Sequence, residues 1–304
     1  MEFLWFLSGI RNEFFDVIVQ GITRFGEETA LIVFICIVYW CINKRLGCEM
    51  GFSFCMSGLL VQGLKIIFRI PRPWILDPDF KPVGTAIEEA TGYSFPSGHT
   101  QSATSVYGTG AVNVKRKWLK AIFVAIFVLV GFSRMYLGVH TPKDVIVAWV
   151  VTLAVVFFVH YAFKKPQRVK ALLIVMSVLC VVLFVLGDTL FLSGIVEERY
   201  IKNCCQTIGA ALGFVVGHLF EQKYVQFSEK ETLGNQIGKV VLGLVCVVVL
   251  KVGMKAIFAA NLIGYTFQNF ILILFIAFIY PMLFNYLIEK HKKFLAGRKG
   301  NIHG

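Results

Sequence analysis

Charge is what this chain has least of. Only 16% of its 304 residues are charged against 57% that are hydrophobic, and the 18 acidic residues are outnumbered by 30 basic ones. With a mean hydropathy of +0.72, the composition excludes an ordinary soluble domain and indicates an integral membrane protein. Ligand patterns are missing too. The eight cysteines include no CxxC and no Cys/His spacing, and most sit inside apolar runs, as Cys36, Cys41, Cys55, Cys180 and Cys246 do. They read as small packing side chains, the adjacent Cys204 and Cys205 included, which argues against a disulfide framework or a metal centre. No cleavable signal pattern is visible, because charged residues continue where a cleavage site should fall. The net charge of +12 is spread over short basic clusters between apolar runs. Those clusters read as topology determinants rather than a nucleic-acid interface, so no nucleic-acid partner is expected, and attraction to anionic lipid headgroups is a secondary role.

What is present is a succession of apolar runs of about 15 to 23 residues, enough for helices across a hydrocarbon core about 30 Å thick. Backbone groups in lipid must pair within their own segment, so the expected fold is all-α, a polytopic membrane helix bundle. The predicted spans are Thr29 to Asn43, Met50 to Phe68, Ser97 to Val114, Leu119 to Leu137 and Pro142 to Phe163. A second series follows: Ala171 to Leu192, Cys204 to Phe220, Val240 to Phe258 and Phe267 to Ile288. Placing Lys44-Arg45, Lys115 to Lys117, Lys164-Lys165 and the basic tail inside puts the amino terminus outside. Residues 1–28, apolar on one face but too polar to span, read as an interfacial amphipathic helix. Four regions result: this helix, a core over 29–165, additional helices of unknown role over 166–289, and a basic cytoplasmic tail over 290–304.

Three short strings carry chemistry. Lys65 precedes Arg72-Pro73 by seven residues; Pro96-Ser97-Gly98-His99 opens a span; Ser133-Arg134 is followed by His140 and Asp144. The predicted topology puts all three on the outer side. An imidazole nucleophile must be neutral on its attacking nitrogen, and a carboxylate facing the other nitrogen fixes that tautomer; Asp144 is spaced to do this for His140. The alternative is that Thr141, Pro142 and Asp144 merely start a helix, and both readings stay open. Ser97 and Gly98, at a helix amino terminus, suit close contact with an anion, though a plain helix cap explains them as well. Lys65, Arg72 and Arg134 supply positive charge, which arginine delivers to two oxygens at once, whereas snorkelling at a span end is the bland reading. Pro71 and Pro73 restrict the backbone around Arg72.

This pattern, K-x6-RP, PSGH and SR-x5-H-x3-D, resembles the tripartite signature of the type 2 phosphatidic acid phosphatase (PAP2) superfamily at every position, over roughly residues 29 to 163. The resemblance implies a PAP2-like core and a metal-independent phosphatase with no cofactor. It implies that His140 attacks phosphorus, Asp144 orients it, and His99 serves as acid and then base, while Lys65, Arg72, Ser97, Gly98 and Arg134 hold the phosphate. The expected protein is a multi-pass cell-membrane lipid phosphatase with its site on the extracytoplasmic face, or the lumenal face in a eukaryote. Its expected substrate is a lipid phosphate or diphosphate, cleaved through a phosphohistidine. A lipid phosphotransferase differs only in the acceptor, and a lipid-phosphate transporter would use the same pocket without needing a nucleophile.

Beyond residue 165 the resemblance is silent. His160 and His218 read as packed histidines, and Asp188 and Lys251 as ionisable groups that could pair within the second half. Gly209, Gly213 and Gly217 form a small-residue stripe suited to helix contact inside the bundle, with a homodimer interface as the alternative.

Overall fold

The computed structural model describes residues 1–88, 90–258 and 260–300, so the last four residues of the expected basic tail lie outside it. Every regular element among the described residues is helical. Two short helices open the chain, α1 (Glu2–Gly9) and α2 (Glu13–Thr23), followed by a 3-10 turn (Arg24–Gly26) and α3 (Glu28–Ile37), which continues as a π-helical segment, Val38–Ile42. The motif-bearing half comprises α4 (Lys44–Phe68), the short α5 (Pro73–Leu76) and α6 (Thr85–Glu88), then α7 (Gly98–Asn113), α8 (Lys117–Tyr136) and α9 (Pro142–Ala162). The second half comprises α10 (Pro166–Leu192), α11 (Glu198–Phe220), α12 (Leu233–Ile257), α13 (Leu262–Leu274) and α14 (Tyr280–Gly300).

The starts of these helices are written in the sequence. Asn43 accepts from Leu46 N at 2.9 Å to begin α4, Asn12 accepts from Phe15 N at 3.0 Å to begin α2, and Asn261 accepts from Gly264 N at 2.8 Å to begin α13. Each side chain satisfies one of the amides that a helix start leaves without a partner. Helix α9 opens with Pro142 in its first turn and a capping box between Thr141 and Asp144. Helix α4 stops where Arg69 takes a left-handed conformation, φ 49°.

Among the described residues, seven helical segments are long and apolar enough to cross a bilayer, or eight if the pair Glu13–Gly26 and Glu28–Ile42, bent by 53°, counts as one span. Nine were expected from hydropathy. Two expected spans fall outside the seven: the first, over 29–43, unless the bent pair is taken as one, and α7, a 16-residue helix rich in Gly, Ser and Thr. It runs through the centre of the bundle against α4, α8 and α9, so protein rather than lipid surrounds it. Its hydroxyls are satisfied internally: Thr104 Oγ1 donates to Thr100 O at 2.6 Å, and Thr109 Oγ1 to Ser105 O at 2.6 Å. Gln101 Nε2 donates across to Ser57 Oγ on α4 at 2.7 Å.

The expected single helix over residues 1–28 is two helices, because Asn12 caps a fresh start after α1. Phe14 and Val17 are each 70% exposed, while Val19 and Thr23 turn inward, against α8.

The second half packs directly on the first. Helices α10 and α11 both lie on α4, and an apolar cluster joins Phe52, Met56 and Leu59 to Met176, Leu183 and Ile208. At the end remote from the motifs, Lys44 Nζ pairs with Glu221 Oε1 at 2.5 Å, with the Glu221 side chain fully buried. Trp40 Nε1 donates to Ile276 O at 3.1 Å and Tyr39 Oη to Ala277 O at 3.0 Å. The glycine stripe of α11 lies against α13, with Gly209 on Thr266, Gly213 on Phe270 and Gly217 on Ala277 and Leu274. The two helices are therefore parallel, and the stripe is used inside the chain, not as a dimer face. A Cβ at Gly209 or Gly213 would run into the α13 backbone carbonyls.

All eight cysteines are free. His160 Nδ1 lies 3.3 Å from the buried Glu49 Oε2, and His218 Nδ1 lies 3.7 Å from Cys48 Sγ, so both histidines are packing groups at the end far from the motifs. Lys251 faces Glu28 electrostatically, whereas Asp188 lies near Cys205; the pairing considered for Asp188 and Lys251 is not formed.

Candidate active site

One end of the bundle collects the end of α4, the start of α7, the end of α8 and the start of α9, and with them all three motifs. His140 sits in the turn between α8 and α9 and is 2% exposed. Its Nδ1 faces Asp144 Oδ2 at 3.4 Å and its Nε2 lies 2.9 Å from Arg72 Nη1. A guanidinium has only donors, so Nε2 accepts and the ring proton belongs on Nδ1, toward the carboxylate. Burial, then the adjacent Arg72 charge, hold the His140 imidazole well below its ordinary pKa, with Asp144 pulling the other way. The neutral, nucleophilic form is thereby favoured.

Asp144 makes three contacts through one oxygen. Its Oδ2 accepts from Thr141 N at 2.9 Å, which is the helix cap, and from Ser94 Oγ at 2.6 Å, while it faces His140. The cap and Ser94 thus fix the carboxylate beside the ring.

Arg72 is held by its own loop and by the turn between α8 and α9. Its Nε donates to Gly92 O at 3.0 Å, Nη2 to Thr91 O at 2.9 Å and Nη1 to Val139 O at 2.9 Å. Three carbonyls on a planar fork fix its direction in a way a lysine would not reproduce. Lys65 Nζ donates to Tyr93 O at 2.6 Å. Arg134, with no exposed surface, reaches Thr23 Oγ1 at 2.8 Å through Nη1, so the amino-terminal helices help aim it. His99 lies within electrostatic reach of Arg134, His140, Arg72 and Lys65.

Lys65, Arg72, Gly98, His99, Arg134 and His140 border one shared cavity. Nothing stands within 4 Å of where a Cβ on Gly98 would be, so the glycine leaves open space at the start of α7. Ser97 does not border the cavity. Its N donates to Asp144 O at 3.0 Å, and its Oγ accepts from Thr100 Oγ1 at 2.9 Å and Thr100 N at 3.4 Å. Of the two motif positions read as anion contacts, Gly98 faces the cavity, while Ser97 caps α7 through its Oγ and ties it to α9 through its backbone N.

Ser94, Thr23 and the carbonyls of residues 91 to 93 were missed in the sequence. Ser94 lies two residues before the PSGH string in an irregular loop, where no periodicity marks it.

A family model described as the PAP2 superfamily matches residues 46–168, and one described as the PAP2 superfamily phosphatase, transmembrane extension, matches residues 205–292. Phosphatidylglycerophosphatase B of Bacillus subtilis is 30% identical over 177 residues, which cover 53% of this chain and 81% of that protein. This chain belongs to the PAP2 superfamily.

Other relatives of this PAP2 protein carry different substrate names. A probable sphingosine-1-phosphate phosphatase of Dictyostelium discoideum is 29% identical over 175 residues, 52% of this chain and 41% of that protein. An undecaprenyl-diphosphatase of Sulfolobus acidocaldarius is 32% identical over 110 residues, 35% of this chain and 50% of that protein. In both cases the match spans half or less of the relative's length. The crystal structure of Aquifex aeolicus LpxE superimposes with a TM-score of 0.48 at 24% identity, over 53% of this chain and 93% of that one.

Proposed function

We propose that this PAP2 protein is a membrane lipid phosphatase that hydrolyses a lipid phosphate or diphosphate through a phosphohistidine on His140. The observation that carries the reading is the relay Asp144, His140, Arg72, in which the carboxylate takes the Nδ1 side and the guanidinium marks the Nε2 side of one buried ring. A site that only binds phosphate needs cations but neither a nucleophile nor its orienter, so this relay favours catalysis over transport. The relatives named as lipid phosphatases support the substrate class.

In the proposed sequence the phosphate enters among Lys65, Arg72 and Arg134, with the α7 amino terminus at Gly98 beside it. Nε2 of His140 attacks phosphorus, and the ester oxygen departs with a proton from His99, which the bound anionic phosphate holds as imidazolium and which is left as neutral imidazole. The phosphorylated ring is a cation, balanced by Asp144. His99, now a base, takes a proton from water, which attacks phosphorus and frees Nε2. Positive charge comes from the three basic side chains, and no divalent ion is required. With the basic clusters inside, the site opens on the extracytoplasmic face, level with headgroups that diffuse in the bilayer.

The test is phosphate release by purified protein in mixed micelles with chelator present, comparing wild type with His140→Ala across phosphatidate, phosphatidylglycerophosphate, a prenyl diphosphate and a sphingoid base phosphate. Release lost in the variant supports the reading. No release from any lipid by folded wild type would overturn it.

A further inference from the structure

The cavity at the phosphate site does not end there. It occupies about 450 Å³ between the PAP2 core and the transmembrane extension, a size typical of sites that enclose a small molecule. Its depth can be read from the helices around it. Gly26, just before α3, sits against His99, and Tyr93 stacks on Tyr200 of α11 at 4.0 Å, so both helices begin at the phosphate end. Helix α13 runs parallel to α11, and α4 runs the opposite way.

Along the cavity each of these four helices changes character from the phosphate end downward. Helix α3 presents Glu28 and Thr29, then Ile32, Ile35 and Cys36. Helix α11 presents Asn203, Gln206 and Thr207, then Ala210 and Phe214. Helix α13 presents Gln268 and Asn269, then Leu272, Ile273 and Ile276. Helix α4, read backward, presents Lys65 and Gln62, then Cys55, Phe54 and Gly51. The span from Lys65 to Gly51 is roughly 21 Å at 1.5 Å per residue. The wall is thus phosphate-binding at the top, amide-bearing in the middle and apolar beneath.

Amides on apolar helices are costly unless something bonds them. Asn269 Nδ2 and Thr207 Oγ1 donate to carbonyls of their own helices, yet each keeps an oxygen able to accept. Lys251 and Lys255 of α12 add two cations on the same cavity. A ligand matching this order carries phosphate, then hydrogen-bonding atoms, then hydrocarbon. Glycerol esters and long-chain amino alcohols have that order. A prenyl phosphate or diphosphate does not, since its hydrocarbon starts at the phosphate ester and would lie against the amides.

We infer that the extension completes a lipid chamber that takes the polar linker and one hydrocarbon chain of a glycerol-type or amino-alcohol-type lipid phosphate, and that discriminates against prenyl phosphates. The inference rests on the phosphatase reading above and narrows its substrate class.

The experiment compares kcat/KM for oleoyl lysophosphatidate and farnesyl phosphate, both single-chain monoesters, in the same micelles. Wild type is expected to favour lysophosphatidate by roughly ten-fold or more, the scale of lost hydrogen bonds in a dry site. The double variant Gln206→Leu/Gln268→Leu is expected to shrink that ratio by about ten-fold, through slower turnover of lysophosphatidate and faster turnover of farnesyl phosphate. A ratio unchanged in the variant, or a wild-type preference for farnesyl phosphate, would overturn the chamber while leaving the phosphatase standing. No release from either lipid by wild type would remove both.

Gly58→Leu provides an independent arm should the double variant not fold. A Cβ at Gly58 meets only Thr207 Cγ2 at 3.4 Å and Gln101 Nε2 at 4.0 Å, so a larger side chain would obstruct the passage at the level of Thr207. The gain in kcat/KM on lengthening the acyl chain from hexanoyl to oleoyl should then disappear, with release from glycerol 3-phosphate unaltered. A chain-length gain equal to that of wild type would count against a chain lying in this cavity.

Discussion

Asp144→Asn isolates the charge of the orienter from its shape. The change keeps size and an acceptor oxygen, so the bond from Thr141 N at 2.9 Å should survive and α9, with Thr141 as its cap, should start as before. What is lost is a negative charge 3.4 Å from His140 Nδ1. As Nε2 bonds to phosphorus the ring becomes a cation, and two unit charges at that separation in an effective dielectric of about 20 interact by about 5 kcal/mol. That corresponds to roughly 10³- to 10⁴-fold in rate. The assay is kcat for phosphate release in mixed micelles, with thermal unfolding of both proteins as the folding control. If Asp144→Asn keeps more than about a tenth of wild-type kcat at an unchanged melting temperature, the carboxylate charge is not what prepares His140.

Gly98→Ala should leave the melting temperature within a degree or two, since nothing crowds the added methyl, but should lower kcat/KM by about ten-fold or more by taking up space beside the phosphate; unchanged kinetics would place the phosphate elsewhere. His140 is held below the ordinary imidazole value of 6.5, so its neutral form persists as pH falls and is lost only on passing through the lowered pKa. The acid limb of kcat/KM should therefore have its midpoint below pH 6.5, and a midpoint at or above it would contradict the buried, Arg72-flanked ring. Lys44→Met leaves Glu221 buried without its partner and should destabilise the protein by about 3 kcal/mol, read as a lower melting temperature in detergent; an unchanged melt would show that the pair does not hold the extension to the core.

The active-site end was the most legible part of the chain because chemistry repeats there at fixed spacing. Lys65, Arg72, Gly98, His99, Arg134, His140 and Asp144 gather at one end of the bundle, as the alternating direction of the spans implies, and the cap at Thr141 marks a helix start directly, whereas the starts capped by Asn43 and Asn261 fall ahead of the expected Met50 and Phe267. What the sequence hides are partnerships set by tertiary packing. Ser94 lies only two residues before a motif, yet nothing local says that its hydroxyl will meet Asp144 fifty residues later. Thr23 on Arg134 joins residues 111 apart. Ser97 reads equally as anion contact or cap, and only the fold shows the bonds it makes to Thr100 and Asp144. Helix α7 misleads hydropathy for a related reason, since a helix wrapped by other helices has no lipid to satisfy. The amide tier of the chamber is divided among α4, α11 and α13, and each contribution alone resembles an isolated polar residue in an apolar run.

The most direct test of the central claim is to trap the covalent intermediate. Wild-type protein mixed with lipid labelled in the scissile phosphate and quenched in base within the first turnover should carry label that is stable to alkali and released by acid, as a phosphorus–nitrogen bond is. Peptide mapping should place it on His140. Label absent under conditions of full turnover, or found on any other residue, would contradict the account.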